Sequence, residues 1–317
     1  MDMVFQDLIT FAIQQQASDL HLSPNLPLWL RCKGELRVFT EHIVNVLEIE
    51  NLCINLLNEQ QKQQLTSLSH LDFGYQLENG IRLRINLFHQ LRGLSCVIRI
   101  IQEKIPALNE LPAPQILSEL VQEKHGLLLV TGPTGSGKST TLAAMVAEIN
   151  QNTGKHILTL EDPIEYIHTN QKSLITQRER YTHFMDYPHA LRNALREDPD
   201  VILISEIRDT ETMQMALTAA ETGHLVLATL HTPTAANTIH RIIDMFPAAQ
   251  QSIARNLVAE SLLAVVSQKL VTRAEKRFAD FEILRATPAV RQLIRDQNIS
   301  QLITAMQTGA ALGMKTF

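Results

Sequence analysis

The chain has 317 residues, 45% hydrophobic and 19% charged, an ordinary globular composition long enough for two domains with sizeable cores. A formal net charge of -5 and a pI near 6.2 argue against a nucleic-acid grip, which usually shows as a basic patch or stripe. Three widely spaced cysteines, Cys32, Cys53 and Cys96, indicate neither a disulfide framework nor a Cys-x-x-Cys zinc site, and fit a cytoplasmic protein.

The opening stretch MDMVFQDLITFAIQQQ carries Asp2 and Asp7 but no basic leader, and its apolar positions recur at helical spacing. It predicts an amphipathic structural helix. No stretch approaches the roughly eighteen consecutive apolar residues that a membrane helix needs, so any membrane role goes through partners. The runs SDLHLS, LWLRCKGELRVF, HLDFGYQL, IRLRINLF and GLSCVIRII are β-rich and punctuated by Gly34, Gly74, Gly80 and Gly93, with one helix expected from about Leu47 to Gln64. This predicts a small α+β domain built on an antiparallel sheet. The segment IPALNELPAP, residues 105 to 114, holds three of the twelve prolines and is the expected domain linker.

Beyond it, apolar strand candidates at 125–130, 156–161, 200–205 and 224–230 alternate with helical segments, the pattern of a largely parallel sheet. Further helices are expected at about 234–245, 250–271 and 287–296, with a strand ADFEIL between the last two.

The first of these strands runs into TGPTGSGKST, residues 131 to 140, and a helical pattern follows at once. Gly132, Gly137, Lys138 and Ser139 fit the pattern G-x-x-x-x-G-K-[ST]. In such a loop the glycines let backbone N–H groups turn inward, the lysine reaches the β and γ phosphates, and the serine hydroxyl ligates magnesium. The helix N-terminus adds its partial positive charge. The phosphate-holding set is therefore Gly132, Pro133, Thr134, Gly135, Ser136, Gly137, Lys138, Ser139 and Thr140, with ATP and Mg2+ as the ligands.

Hydrolysis needs carboxylates to support magnesium and to place the attacking water. DVILISEIRD supplies Glu206 at the end of an apolar run, and HILTLEDPIEY supplies Glu161, Asp162 and Glu165 after another. Acids also cap strand ends and helix starts, so neither cluster assigns a role alone; beside a P-loop they become candidates for the chemistry. GHLVLATLHT is bracketed by His224 and His231, and His231 ends its strand on the side where the P-loop lies, placed to sense the γ phosphate.

GPTGSGKSTTLAAM, ILTLEDPIEYIH, REDPDVILISEIRD and ALTAAETGHLVLATLHT resemble the Walker A, Asp box, Walker B and His box of the secretion ATPase superfamily. In order and spacing they resemble the type IV pilus retraction ATPases, the PilT type, and the likeness runs from ASDLHLSPNLPLWLRCKGEL to TPAVRQLIRDQ. The resemblance implies an α/β fold: a RecA-like P-loop ATPase domain at 105–317 behind a smaller PAS-like α+β domain at 1–104. It also implies a hexameric homo-oligomer that removes pilin subunits from a pilus base, cytoplasmic and peripheral at the inner membrane through a platform protein, with no direct nucleic acid. Three features depart from the family: Ser205 stands where glycine is usual, AVRQLIRD resembles but does not equal AIRNLIRE, and relatives continue beyond GMKTF. The tetracysteine zinc module of assembly and type II secretion ATPases is absent from the sequence.

In IRLRINLF the strand period puts Arg82, Arg84 and Asn86 on one face and Ile81, Leu83, Ile85 and Leu87 on the other. By itself the polar face is a solvated one. The resemblance makes Arg84, Arg92 and Arg99 the arginines that reach nucleotide from the N-terminal side, in cis or in trans. On this reading Lys138 and the loop amides hold phosphates, Ser139 and Glu206 manage magnesium, and Glu165 polarises water, with Glu165 and Glu206 open to exchange. Two other readings stand beside it: a regulatory ring subunit that binds ATP structurally, and a nucleic-acid translocase on the same core, which would need a basic channel.

Overall fold

The computed structural model describes residues 5–101, 105–273 and 276–317. The first four positions of the expected N-terminal helix, and residues 102–104 at the expected domain boundary, lie outside them. The chain divides into two compact units: Met1–Lys104 with Pro163–Ile167, and Ile105–Asp162 with His168–Phe317.

The first unit runs α1 (Phe5–Gln14), β1 (Ala17–Leu22), β2 (Leu26–Cys32), β3 (Glu35–Val44), α2 (Val46–Ile54), α3 (Glu59–Leu68), β4 (His70–Gln76), β5 (Arg82–Gln90) and β6 (Gly93–Ile100). Its sheet has the order β3-β2-β1-β6-β5-β4, antiparallel throughout. The run LWLRCKGELRVF is a hairpin: Lys33 and Gly34 both take positive φ, 52° and 91°, as a two-residue turn matched to strand twist requires. Leu83, Ile85 and Leu87 of β5 are buried with Leu8, Ile9 and Ala12 of α1 and Ile49 of α2 in one core. The single helix expected over 47–64 is two helices. Asn58 accepts from the Gln61 N–H at 2.8 Å while the Gln61 side chain accepts from the Asn58 N–H at 3.0 Å, and this capping box starts a new helix in mid-segment.

The second unit runs α4 (Pro114–Val121), β7 (Gly126–Thr131), α5 (Lys138–Asn152), β8 (His156–Glu161), β9 (Leu174–Glu179), α6 (Tyr187–Ala194), β10 (Val201–Ile204), α7 (Thr210–Glu221), β11 (Leu225–Leu230), α8 (Ala235–Asp244), α9 (Gln251–Ser261), β12 (Leu262–Arg273), β13 (Lys276–Arg285), α10 (Pro288–Arg295) and α11 (Leu302–Thr308). The sheet order is β13-β12-β7-β11-β10-β8-β9, parallel except for β13. Alternate residues of β7 feed two cores. Leu127 and Leu129 meet α6 to α11, while Leu128 and Val130 meet α4 and α5. Leu108, inside the proline-rich segment, is buried in the second of these cores.

Two expectations are corrected here. The helix predicted over 250–271 stops at Ser261, and Leu262 begins β12. Val265 packs into the core with α6 to α11 and Ala264 and Val266 into the core with α4 and α5, and Ser267 and Gln268 are buried as well; a strand covered on both faces loses its alternation and cannot be told from a helix by period. β9 has no counterpart in the sequence reading, because LITQRE is a polar edge strand without an apolar run. Among the described residues no helix is long and apolar enough to cross a membrane.

His168 opens the second stretch of this unit, and burial lowers its pKa from 6.5 to about 4. The unfolded chain therefore takes up this proton first as pH falls, so stability declines between the two values rather than above them. Between pH 7.5 and 5.0 the parent is expected to lose about 2 kcal/mol more than His168→Gln in urea unfolding, at 1.36 kcal/mol per pH unit. Equal losses in the two proteins would remove His168 from the account.

Candidate active site

β7 is buried along its whole length and ends at Thr131, where the chain turns through Gly132, Gly135 and Gly137 at φ of 146°, 77° and 92°. Side-chain-bearing residues rarely hold such values. At Gly132 a Cβ would also lie 2.2 Å from the backbone oxygen of Gln268, so the loop passes hard against β12. Gly137 caps α5 without any side-chain hydrogen bond, and a helix N-terminus of this kind suits an anion. Pro133, Thr134, Gly135 and Ser139 are exposed, whereas Ser136 is buried and its hydroxyl has no hydrogen-bond partner among the described residues. A glycine cradle ahead of an uncapped helix N-terminus fits a polyphosphate.

Lys138, the first residue of α5, is 8% exposed. Its Nζ donates to the carbonyl oxygens of Gly132 at 2.8 Å and Pro133 at 3.1 Å, and lies 3.5 Å from Nδ1 of His231. The other ring nitrogen of His231 is 3.0 Å from Glu206 Oε1, and Arg208 donates to Glu206 Oε2 at 2.8 Å. The carboxyl ends of β7, β11 and β10 thus bring Lys138, His231, Glu206 and Arg208 into one connected row. Burial pushes the Glu206 pKa up, but the Arg208 hydrogen bond and charge, with His231, outweigh it and hold the carboxyl below its ordinary value. It is a carboxylate at neutral pH. Ser205 carries no penalty for its hydroxyl, which pairs with Tyr187 at 2.8 Å.

The second acidic cluster is divided. Glu161 accepts from Thr159 at 2.7 Å and Gln177 at 3.1 Å, and Asp162 pairs with Arg180 at 3.0 Å. Glu165 lies in the first unit, 3.3 Å from Arg84, whose guanidinium also holds Asp72 at 2.6 Å. Arg84 and Arg99 are register partners across β5 and β6, and Arg99 pairs with buried Asp19 at 2.8 Å. Arg92 stands apart from them, exposed in the turn between those strands. His224 precedes β11 at the end of the strand remote from His231 and bonds the Ala219 carbonyl at 3.0 Å, so it closes α7 rather than joining the row.

The family described as Type II/IV secretion system protein matches residues 1–311. The chain belongs to this family. It is 44% identical over 311 residues to a type IV pilus retractation ATPase, PilT, of Pseudomonas aeruginosa, covering 98% of this chain and 90% of that protein. A twitching motility protein of Neisseria gonorrhoeae is 46% identical over 98% of this chain and 83% of its own length. Among solved structures, the pilus retraction motor PilT with bound ADP superposes with a TM-score of 0.90 at 40% identity, covering 96% of this chain and 90% of that one.

In this secretion-family chain, sequence reasoning missed the partners that hold the site rather than its central residues. Arg208 sits two places after Glu206 in a motif already singled out; only the fold shows its guanidinium returning to the carboxylate. A buried hydroxyl chain runs from Ser267 to Thr131 at 2.9 Å, from Thr131 to Thr238 at 3.4 Å and on to Thr232 at 2.6 Å, tying the end of β7 to the residue after His231. No local pattern marks those residues, because they come from separate strands and a helix.

Proposed function

We propose that this chain is an ATPase motor of the type IV pilus retraction class, coupling ATP hydrolysis to pilus disassembly. The observation that carries the reading is the row Lys138–His231–Glu206–Arg208 at the mouth of a glycine cradle. The PilT relative with bound ADP supports the nucleotide. Lys138 and the loop amides bind the phosphates, and the exposed Ser139 hydroxyl and Glu206 are the magnesium ligands. Mg2+ supplies charge neutralisation across the phosphates. Such an ion takes one or two carboxylates plus phosphate oxygens. Glu165 polarises the attacking water, Arg84 and Arg99 neutralise charge developing on the phosphates, and His231 senses the γ phosphate. The working unit is a homohexamer of chains with domains at 1–104 and 105–317, cytoplasmic and held at the inner membrane by a platform protein.

Purified rings are expected to hydrolyse ATP with Mg2+ and to stop with EDTA; a verified hexamer that fails to turn over would favour a regulatory ring subunit instead. Arg84→Ala and Arg99→Ala are expected to cut turnover at least tenfold with assembly intact, a loss above about 1.4 kcal/mol in barrier. Wild-type rates in both would end the catalytic role of the first domain. Excess surface pili in a deletion strain would identify retraction as the task.

A further inference from the structure

β12 sends the side chain of Gln268 against the P-loop, and no part of the catalytic reading uses it. Gln268 is 2% exposed. Its Nε2 donates to the Ser136 carbonyl at 2.6 Å and its Oε1 accepts from the Thr141 hydroxyl at 2.8 Å. One amide therefore clamps the loop to the first turn of α5. Its orientation is settled by the same contacts, since turning it over would set two acceptors, Oε1 and the Ser136 oxygen, against each other. Both outer glycines of the motif pack on this residue. A Cβ at Gly132 would lie 2.2 Å from its backbone oxygen, and one at Gly137 would lie 2.8 Å from Nε2.

Peptide geometry turns the clamp into control of a donor. The unit joining Ser136 to Gly137 is planar and trans, so the Ser136 C=O and the Gly137 N–H point in opposite directions. Holding the oxygen toward β12 aims the N–H away from β12, and no protein acceptor takes that N–H among the described residues. We propose that Gln268 is a positioning residue for the nucleotide phosphates, orienting the Gly137 amide in advance of binding through its bond to the Ser136 carbonyl. The proposal rests on the nucleotide-binding reading of the P-loop and adds the residue that presets it. A preset donor lowers the ordering cost that a mobile loop would bear on binding, so loss of the clamp shows first in affinity.

The test uses full-length rings and a fluorescent ADP analogue. Gln268→Met keeps the length of the side chain and removes both bonds; Gln268→Glu keeps the acceptor for Thr141 but sets a carboxylate against the Ser136 oxygen. Each is expected to raise the Kd for the analogue tenfold or more, with a matching rise in KM for ATP and a smaller change in kcat. Thr141→Val frees the far end of the amide and should raise Kd about threefold, and adding it to Gln268→Met should cost nothing more, as two members of one clamp require. A structural filler would instead lower the unfolding midpoint and leave Kd alone. Assembled Gln268→Met rings that bind the analogue within twofold of the parent overturn the proposal. Should that variant fail to fold, unchanged affinity in Thr141→Val overturns it. A parent that binds no analogue defeats the nucleotide reading itself, a result separable from binding that Lys138→Ala destroys and Gln268→Met leaves intact.

Discussion

Lys138→Ala is expected to abolish ATP hydrolysis and to weaken ADP binding at least tenfold. The ammonium is the only side-chain charge borne by the loop residues 131–140, and it is 8% exposed at the first position of α5. There it bonds the Gly132 and Pro133 oxygens, inside the turn through which the backbone amides reach a ligand. Alanine removes the point charge proposed to face the β and γ phosphates and also leaves those two carbonyls without this donor. Both losses fall on the bound nucleotide rather than on the sheet beneath, since β7 is set by Leu127 to Val130 and not by the lysine. A coupled assay for released phosphate, with circular dichroism to verify the fold, checks the result. Turnover at the parental rate would end the P-loop interpretation.

Glu206→Gln is expected to leave ATP binding nearly unchanged while lowering turnover by about a hundredfold or more. The amide keeps the shape of the carboxylate; its oxygen can still accept from Arg208, and its NH2 then faces the His231 ring nitrogen, the two partners that stand 2.8 and 3.0 Å from the parent carboxylate. What disappears is the negative charge that, on the proposed function, supports magnesium and the attacking water. Arg208 and His231 hold the Glu206 pKa low, so the parent keeps this charge throughout the neutral range and the deficit of the variant should not diminish between pH 6 and 8. Single-turnover kinetics separate the alternatives: binding lost in step with hydrolysis would make Glu206 a structural support for the strand end.

The local part of this protein was open to reading from its residues alone. The P-loop is contiguous, and its glycines, lysine and hydroxyls state a backbone geometry and a charge within ten positions, 131 to 140. β10 and β11 were equally legible, because VILI and LVLATL are apolar runs bounded by turn residues. His231 and Glu206 follow from the same logic, since the carboxyl ends of parallel strands share one edge of a sheet.

What the sequence by itself determined, then, has its cause within a few neighbouring residues: the cradle, the alternation of strands and helices, the amphipathic first helix and the buried face of β5. The tertiary structure alone decided the identity of β12, whose two-sided burial erases the period that distinguishes strand from helix, and the existence of β9, which is a strand because β8 offers it hydrogen bonds. It also decided which acids keep company. Glu161, Asp162 and Glu165 lie within five positions of each other, yet Glu165 pairs with Arg84, eighty-one positions away in the chain, while Asp162 pairs with Arg180. Gln268 reaches Ser136 across 132 positions. Such partnerships are set by which strands adjoin and how far each side chain extends, and a linear pattern carries no term for either.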